Sequence, residues 1–317
     1  MRAALPNSDP VAAYPELALV REAVNKQDWS AIQRYYATLP SDSDRTLLPL
    51  VIIGQSDIEV ELQRALKLFE DDPLLLALLG TYEVTTSWRS LGIRWNVPTA
   101  TGSDGIGELQ RAEFRRRLGL GEGLLLQAVA LDPTCDIALA GLLRTSRGLH
   151  LGVDESRRRY DRLAEHNPAH YSGQCRMLQQ LCPKWGGRWT LAHRFVDECR
   201  AGAPDGTLTG ALAAELHIEH WKAGDTDYLH RTDVLQQLAE AAQRSVLHPA
   251  FRRVYPWVRA HGAFALAFAV SDAHRRAAPH FRALDNLIDA NPPWGYLPDA
   301  PAQYAAFRAA ALNEDSH

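Results

Sequence analysis

Apolar and polar positions recur along this chain with the period of helices. From Asp57 to Glu70 the apolar residues Ile58, Leu62, Ala65, Leu66 and Phe69 follow one another at three- and four-residue steps, the spacing that lines one helical face. Asp57 stands where its carboxylate would accept the first free amides of that helix. Pro73 ends the segment and opens the next, because proline lacks an N–H and is tolerated in the first turn. Between Pro73 and Trp88, Leu74, Leu75, Leu76, Leu78 and Leu79 cover too many sides for a surface helix, so this one is expected to be buried. Strand signals are lacking: there is no sustained alternation of period two and no hairpin dipeptide between β-branched runs.

From Leu91 to Gly107 the helical period stops, interrupted by Gly92, Pro98, Gly102 and Gly105, and an irregular loop is expected at about 91–107. Helix resumes near Glu108 and runs to Leu131, with Gly119, Gly121 and Gly123 as places where it would break or bend. Beyond that point the punctuation becomes regular. Leu131-Asp132-Pro133 ends one helix and His166-Asn167-Pro168 ends another, thirty-five residues on. Between them lie two helix-length segments, Asp136 to Leu149 and Val153 to His166, joined by a glycine-containing turn. Looser versions follow: Ala169 to Leu181 with Trp189 to Ala201, Leu208 to Ala223 with Thr226 to Ser245, and His248 to Val270 with Asp272 to Ala290. A hairpin of helices that buries its apolar face only by stacking on the next is the unit of a helical array.

The helix ends Ala-Leu-Asp-Pro and His-Asn-Pro, with their spacing, resemble tetratricopeptide-type repeats, although Arg144 occupies the position where such a repeat carries a small residue. Trp88-Arg89, Leu131-Asp132-Pro133, Arg147-Gly148-Leu149 and above all Pro183-Lys184-Trp185-Gly186-Gly187 resemble a family of uncharacterised bacterial proteins, a domain of unknown function with tetratricopeptide-like helices. The resemblance covers roughly residues 80 to 225. It implies a fold and carries no activity. The expected architecture is therefore all-α, stacked helical hairpins in a tetratricopeptide-like (TPR-like) α-solenoid with irregular repeats. It comprises a flexible N-terminal tail at 1–14, one helical domain at 15–312 and a C-terminal tail at 313–317.

Composition narrows the function classes. A net charge of −4 argues against the basic field that nucleic-acid binding requires, and no nucleic-acid partner is expected. Only Lys26, Lys67, Lys184 and Lys222 are lysines among the 34 basic residues, a bias that a GC-rich genome explains. No apolar run reaches membrane-spanning length and Met1 to Pro15 lacks the regions of a secretory signal, so a cytoplasmic protein is expected. Four cysteines without a CxxC pair, Cys135, Cys175, Cys182 and Cys199, suit free thiols in a reducing compartment.

Candidate chemistry is sparse. His217 and His220 lie three apart, close to one helical face and near Glu215 and Glu219, but neither HExxH nor a repeated ExxH occurs, and ordinary hydrogen-bonded histidines are expected in place of a metal site. His166 and His170 are four apart, yet Asn167-Pro168 breaks the helix between them. Phosphate-binding and nucleophile-elbow signatures are missing, and no cofactor is implied. The arginine runs Arg115-Arg116-Arg117 and Arg157-Arg158-Arg159 read as solvated helix faces. What remains is aromatic and basic. Tryptophan and arginine neighbours offer large contact area with a polar handle, and the two glycines after Lys184-Trp185 suggest a turn requiring positive φ or close backbone approach.

The leading expectation is a non-enzymatic scaffold whose groove, lined by some of Trp88, Arg89, Trp95, Lys184, Trp185, His217, His220 and Trp221, binds a peptide or protein partner. The alternative is a small-molecule-binding protein or enzyme with a polar pocket around His217, Glu219, His220, Arg89 and Lys184. A groove open along the array would favour the first, a closed cavity with converging polar groups the second.

Overall fold

A computed structural model describes residues 5–91 and 107–314. Trp95 and nearly all of the irregular segment expected at about 91–107 lie outside the described residues. Among the described residues there are sixteen α-helices, and the only β contact is an isolated parallel bridge between Asn7 and Leu287. No helix among them is long and apolar enough to cross a membrane.

In chain order the helices are α1 (Pro10–Ala13), α2 (Leu17–Asn25), α3 (Trp29–Thr38), α4 (Leu48–Ile52), α5 (Ile58–Leu68), α6 (Pro73–Ser90), α7 (Glu108–Leu131) and α8 (Asp136–Gly148). They continue with α9 (Val153–His166), α10 (Tyr171–Leu181), α11 (Trp189–Ala201), α12 (Leu212–Lys222), α13 (Thr232–Arg244), α14 (Trp257–Val270), α15 (His274–Leu284) and α16 (Ala300–Glu314). They cluster into two compact units, Tyr14–Gly187 and, together, Met1–Ala13 with Arg188–His317.

In the Tyr14–Gly187 unit the core is built around α6 and α8. Asp72 caps α6 by accepting from the Leu75 amide at 2.8 Å, and the leucine-rich stretch behind Pro73 is buried on all sides. Each of α6 to α9 packs on its successor in sequence, α9 packs on α10, and α8 also packs on α6 and α10. α7 runs unbroken through its three glycines, where a break or bend was expected. Asp57 does stand at the start of α5, but its φ of 57° is left-handed and its side chain makes no capping bond, so it does not serve the first amides.

The arginine runs differ from their reading as solvated faces, because the third arginine of each turns inward. Arg117 reaches Glu83 at 3.0 Å and Glu113 at 2.8 Å. Arg159 grips Glu122 with two nitrogens, at 2.6 and 3.1 Å, and donates to the Leu142 carbonyl at 2.8 Å. A helix places consecutive residues about 100° apart, so three arginines in a row cannot all face solvent beside a packed neighbour.

In the other unit, α14 packs against α12 and α15, and α15 against α16. Two helices here are shorter than their periodicity suggested. α14 starts only at Trp257, since Pro249 and Pro256 lack the N–H groups a helix from His248 would need, and α15 covers His274–Leu284 rather than Asp272 to Ala290. Asn7 donates to the Asn286 carbonyl at 2.6 Å and accepts from the Ile288 amide at 3.0 Å.

Candidate functional site

The Tyr14–Gly187 unit concentrates positive charge where α6, α8 and α10 pack. Arg144 and Arg147 on α8 are 5% and 1% exposed, and Arg144 donates to the Thr85 hydroxyl of α6 at 3.0 Å. Burial, then the like charges of Arg176, Arg147 and Arg89, press the Arg144 guanidinium well below the ordinary arginine range. Arginine nevertheless keeps its proton in proteins, so Arg144 stays cationic within reach of the charges of Arg176, Arg147 and Arg89.

Aromatic rings frame this charge. The Arg147 guanidinium lies 5.6 Å from the Trp88 ring and 5.3 Å from the Trp185 ring, within cation–π range of both. The two indoles meet edge to face with centroids 5.8 Å apart, and Phe114 packs on the far side of Trp88 at 5.1 Å. The buried indole N–H groups of Trp88 and Trp185 meet no acceptor among the described residues. Guanidinium and indole N–H groups are donors, and guanidinium is the side chain best shaped to hold a carboxylate.

The Pro183 to Gly187 turn holds Trp185 in place. Trp185 donates to the Cys182 carbonyl at 2.9 Å, and its own carbonyl accepts from the Gln180 amide group at 3.0 Å. Gly186 has φ of 84°, and a Cβ on Gly187 would lie 2.1 Å from the Leu181 carbonyl oxygen. One glycine therefore supplies positive φ and the other close backbone approach, the two properties the sequence pattern called for.

The residues singled out from sequence fall into two groups, one in each unit. Trp88, Arg89, Lys184 and Trp185 belong to the Tyr14–Gly187 unit. Trp88 is buried, Trp185 is half-buried, and Arg89 and Lys184 are exposed. His217, Glu219, His220 and Trp221 all lie on α12 in the other unit, so the polar pocket imagined from all five of His217, Glu219, His220, Arg89 and Lys184 draws on both. Trp221, half-buried, has the Lys222 ammonium 5.6 Å from its ring.

Around α12 the histidines form a ring cluster with α11. His220 Nε2 and His193 Nε2 are 2.9 Å apart. The His220 ring stacks on Trp189 at 3.7 Å on one side and on Tyr228 at 4.7 Å on another. His217 Nδ1 lies 2.9 Å from the Tyr228 hydroxyl. Burial, then the neighbouring histidines, lower His217 to about 3. Burial, His193 and Arg231 lower His220 to about 4, against weaker pulls from Asp225 and Glu219. Both rings are neutral at pH 7. Glu219 accepts a hydrogen bond from the buried Tyr296 hydroxyl, which ties it into the unit's own core.

Sequence reasoning missed the arginines of α8 and α10 and a buried triad in the same unit. His170 Nε2 lies 3.3 Å from both Asp44 Oδ1 and Asp136 Oδ2, a grouping able in principle to ligate a metal. Its groups already have partners. His170 Nδ1 accepts from the Gly173 amide at 3.0 Å as the cap of α10, Asp136 takes the Arg45 amide at 2.8 Å, and Asp44 takes the Ser172 amide at 3.1 Å. The triad therefore works as a joint between α8, α10 and the turn before α4. His193 drew no attention in the sequence because its partner lies on the next helix.

Compared with known proteins, the chain matches no family model and no curated relative.

Proposed function

We propose that this protein is a non-enzymatic, TPR-like helical scaffold whose Tyr14–Gly187 unit captures a carboxylate-bearing segment of a peptide or protein partner. The observation that carries the reading is Arg147, buried on α8 and within cation–π range of both Trp88 and Trp185, with the charges of Arg176, Arg147 and Arg89 acting on the neighbouring Arg144. Guanidinium N–H groups pair with carboxylates in bidentate geometry, and the flanking indole faces favour a fixed cation beside them. The packing of α6 on α7 and of α8 on α6, α9 and α10 supports a stacked-hairpin arrangement. Arg144, placed where a TPR-like repeat has a small residue, becomes part of the binding machinery in this reading. Four free cysteines, three of them buried, agree with a cytoplasmic setting.

Acidic peptides test it directly. Titration with a glutamate-rich peptide, followed by tryptophan fluorescence, should saturate, weaken steeply with salt, and lose at least tenfold in affinity in Arg147→Gln or Arg89→Gln. A neutral peptide of the same length should not bind. Equal binding of both peptides, or unchanged affinity in both variants, overturns the proposal.

A further inference from the structure

We propose that His193 and His220 form a binding site for one divalent transition-metal ion of the zinc, nickel or copper class. Their Nε2 atoms are 2.9 Å apart and come from adjacent helices, α11 and α12. Imidazole nitrogens bind such ions at about 2.0–2.1 Å, so two of them at neighbouring corners of one ion stand roughly 2.9–3.4 Å apart, depending on whether the angle between them is square or tetrahedral. The observed separation lies at the edge of that window. Without an ion, one ring donates its Nε2–H to the other; an ion takes the place of that proton.

The surroundings favour ligation over a passive hydrogen bond. His220 is held between Trp189 and Tyr228, with interplanar angles of 22° and 11°, so its ring cannot swing away from His193. Tyr228 is itself tied to His217 Nδ1 at 2.9 Å, which fixes the ring that stacks on His220. Both ligand residues are half-buried, so neither is sealed away from solvent. The charges near His220 are of both signs, Asp225 and Glu219 against Arg231. Imidazole selects zinc, nickel or copper over magnesium and calcium, which prefer oxygen ligands. The Asp44, Asp136 and His170 triad does not compete as a candidate, because its groups are buried and already serve amides and Arg45.

Tag-free, chelator-treated full-length protein titrated with Zn²⁺, Ni²⁺ and Cu²⁺ by calorimetry should bind one ion per chain. Cu²⁺ should also quench tryptophan fluorescence, since Trp189 stacks on a ligand ring. His193→Gln and His220→Gln should each weaken binding at least tenfold, whereas His248→Gln should leave it unchanged and Mg²⁺ should give no signal. Pulsed electron paramagnetic resonance of the wild-type Cu²⁺ complex should reveal two coordinated imidazoles, a readout that does not depend on any variant folding. A spectrum with one imidazole or none, or unchanged affinity in both ligand variants, overturns the assignment.

Discussion

Acid should loosen the Arg188–His317 segment through a pair of histidines buried between α14 and α15. His261 and His280 are 2% and 0% exposed, and their Nδ1 atoms lie 3.2 Å apart. Phe264 and Phe268 stack on His280 at 5.1 and 5.9 Å, and Trp257 meets His261 edge-on at 6.0 Å. Burial, then the charge of Arg253, lowers His261 to about 4, and burial with His261 as neighbour holds His280 well below the usual histidine range. The unfolded chain titrates near 6.5, so below that pH it binds protons the folded chain refuses. Stability is full above about 6.5 and is lost as pH falls toward the folded value. For His261 alone, a folded value of about 4 gives a loss of about 2 kcal/mol at pH 5 relative to pH 7.5, at about 1.36 kcal/mol per unit. His280 adds to it in the same direction. Against a typical total of about 5–15 kcal/mol, that is a large share. The perturbation is the double substitution His261→Leu with His280→Leu, which removes both partners of the buried hydrogen bond together and so leaves neither polar group orphaned. Urea unfolding by circular dichroism at pH 7.5 and pH 5, with hydrogen exchange on α14 and α15 peptides, compares it with wild type. The double variant should be less acid-sensitive by at least about 2 kcal/mol. An equal loss in both proteins would refute the reasoning.

Gly187→Ala must move the Leu181 backbone, because the new Cβ would lie 2.1 Å from its carbonyl oxygen, whereas Gly186→Ala meets open space and costs only the left-handed backbone, about 1–2 kcal/mol. Urea midpoints should therefore fall further for Gly187→Ala, by about 3 kcal/mol, and acidic-peptide affinity should fall with them as Trp185 shifts; a smaller effect than Gly186→Ala would show that the turn is not tight. Glu122→Gln weakens the two-nitrogen grip of Arg159, whose side chain is 11% exposed, and should cost about 2 kcal/mol in urea. The loss stays moderate because Arg159 keeps Glu155 at 2.7 Å and the Leu142 carbonyl, and a stability unchanged from wild type would mean that the pair contributes nothing.

Helix content and several helix ends were legible in the chain because they depend on neighbours in sequence, although the bounds of α14 and α15 were not. The three- and four-residue recurrence of apolar side chains, Pro73 at the head of α6, and the Asp-Pro and Asn-Pro stops around α8 and α9 are all local signals. The Lys184-Trp185-Gly186-Gly187 turn was equally readable, since positive φ and tight approach select glycine.

What the tertiary structure alone decided is which polar groups meet. Arg144 stood out as a departure from the repeat pattern and proves to be a buried side chain of α8 that donates to Thr85 of α6. Arg117 and Arg159 looked solvated and are drawn inward to glutamates of neighbouring helices. His170 finds Asp44 and Asp136 across long stretches of chain, and His193 finds His220 only when α11 lies beside α12. A period along the sequence tells which face of a helix is covered but not by what, because coverage is set by packing between segments far apart in the chain, and the energy of a charge or a hydrogen bond depends on the partner that packing supplies.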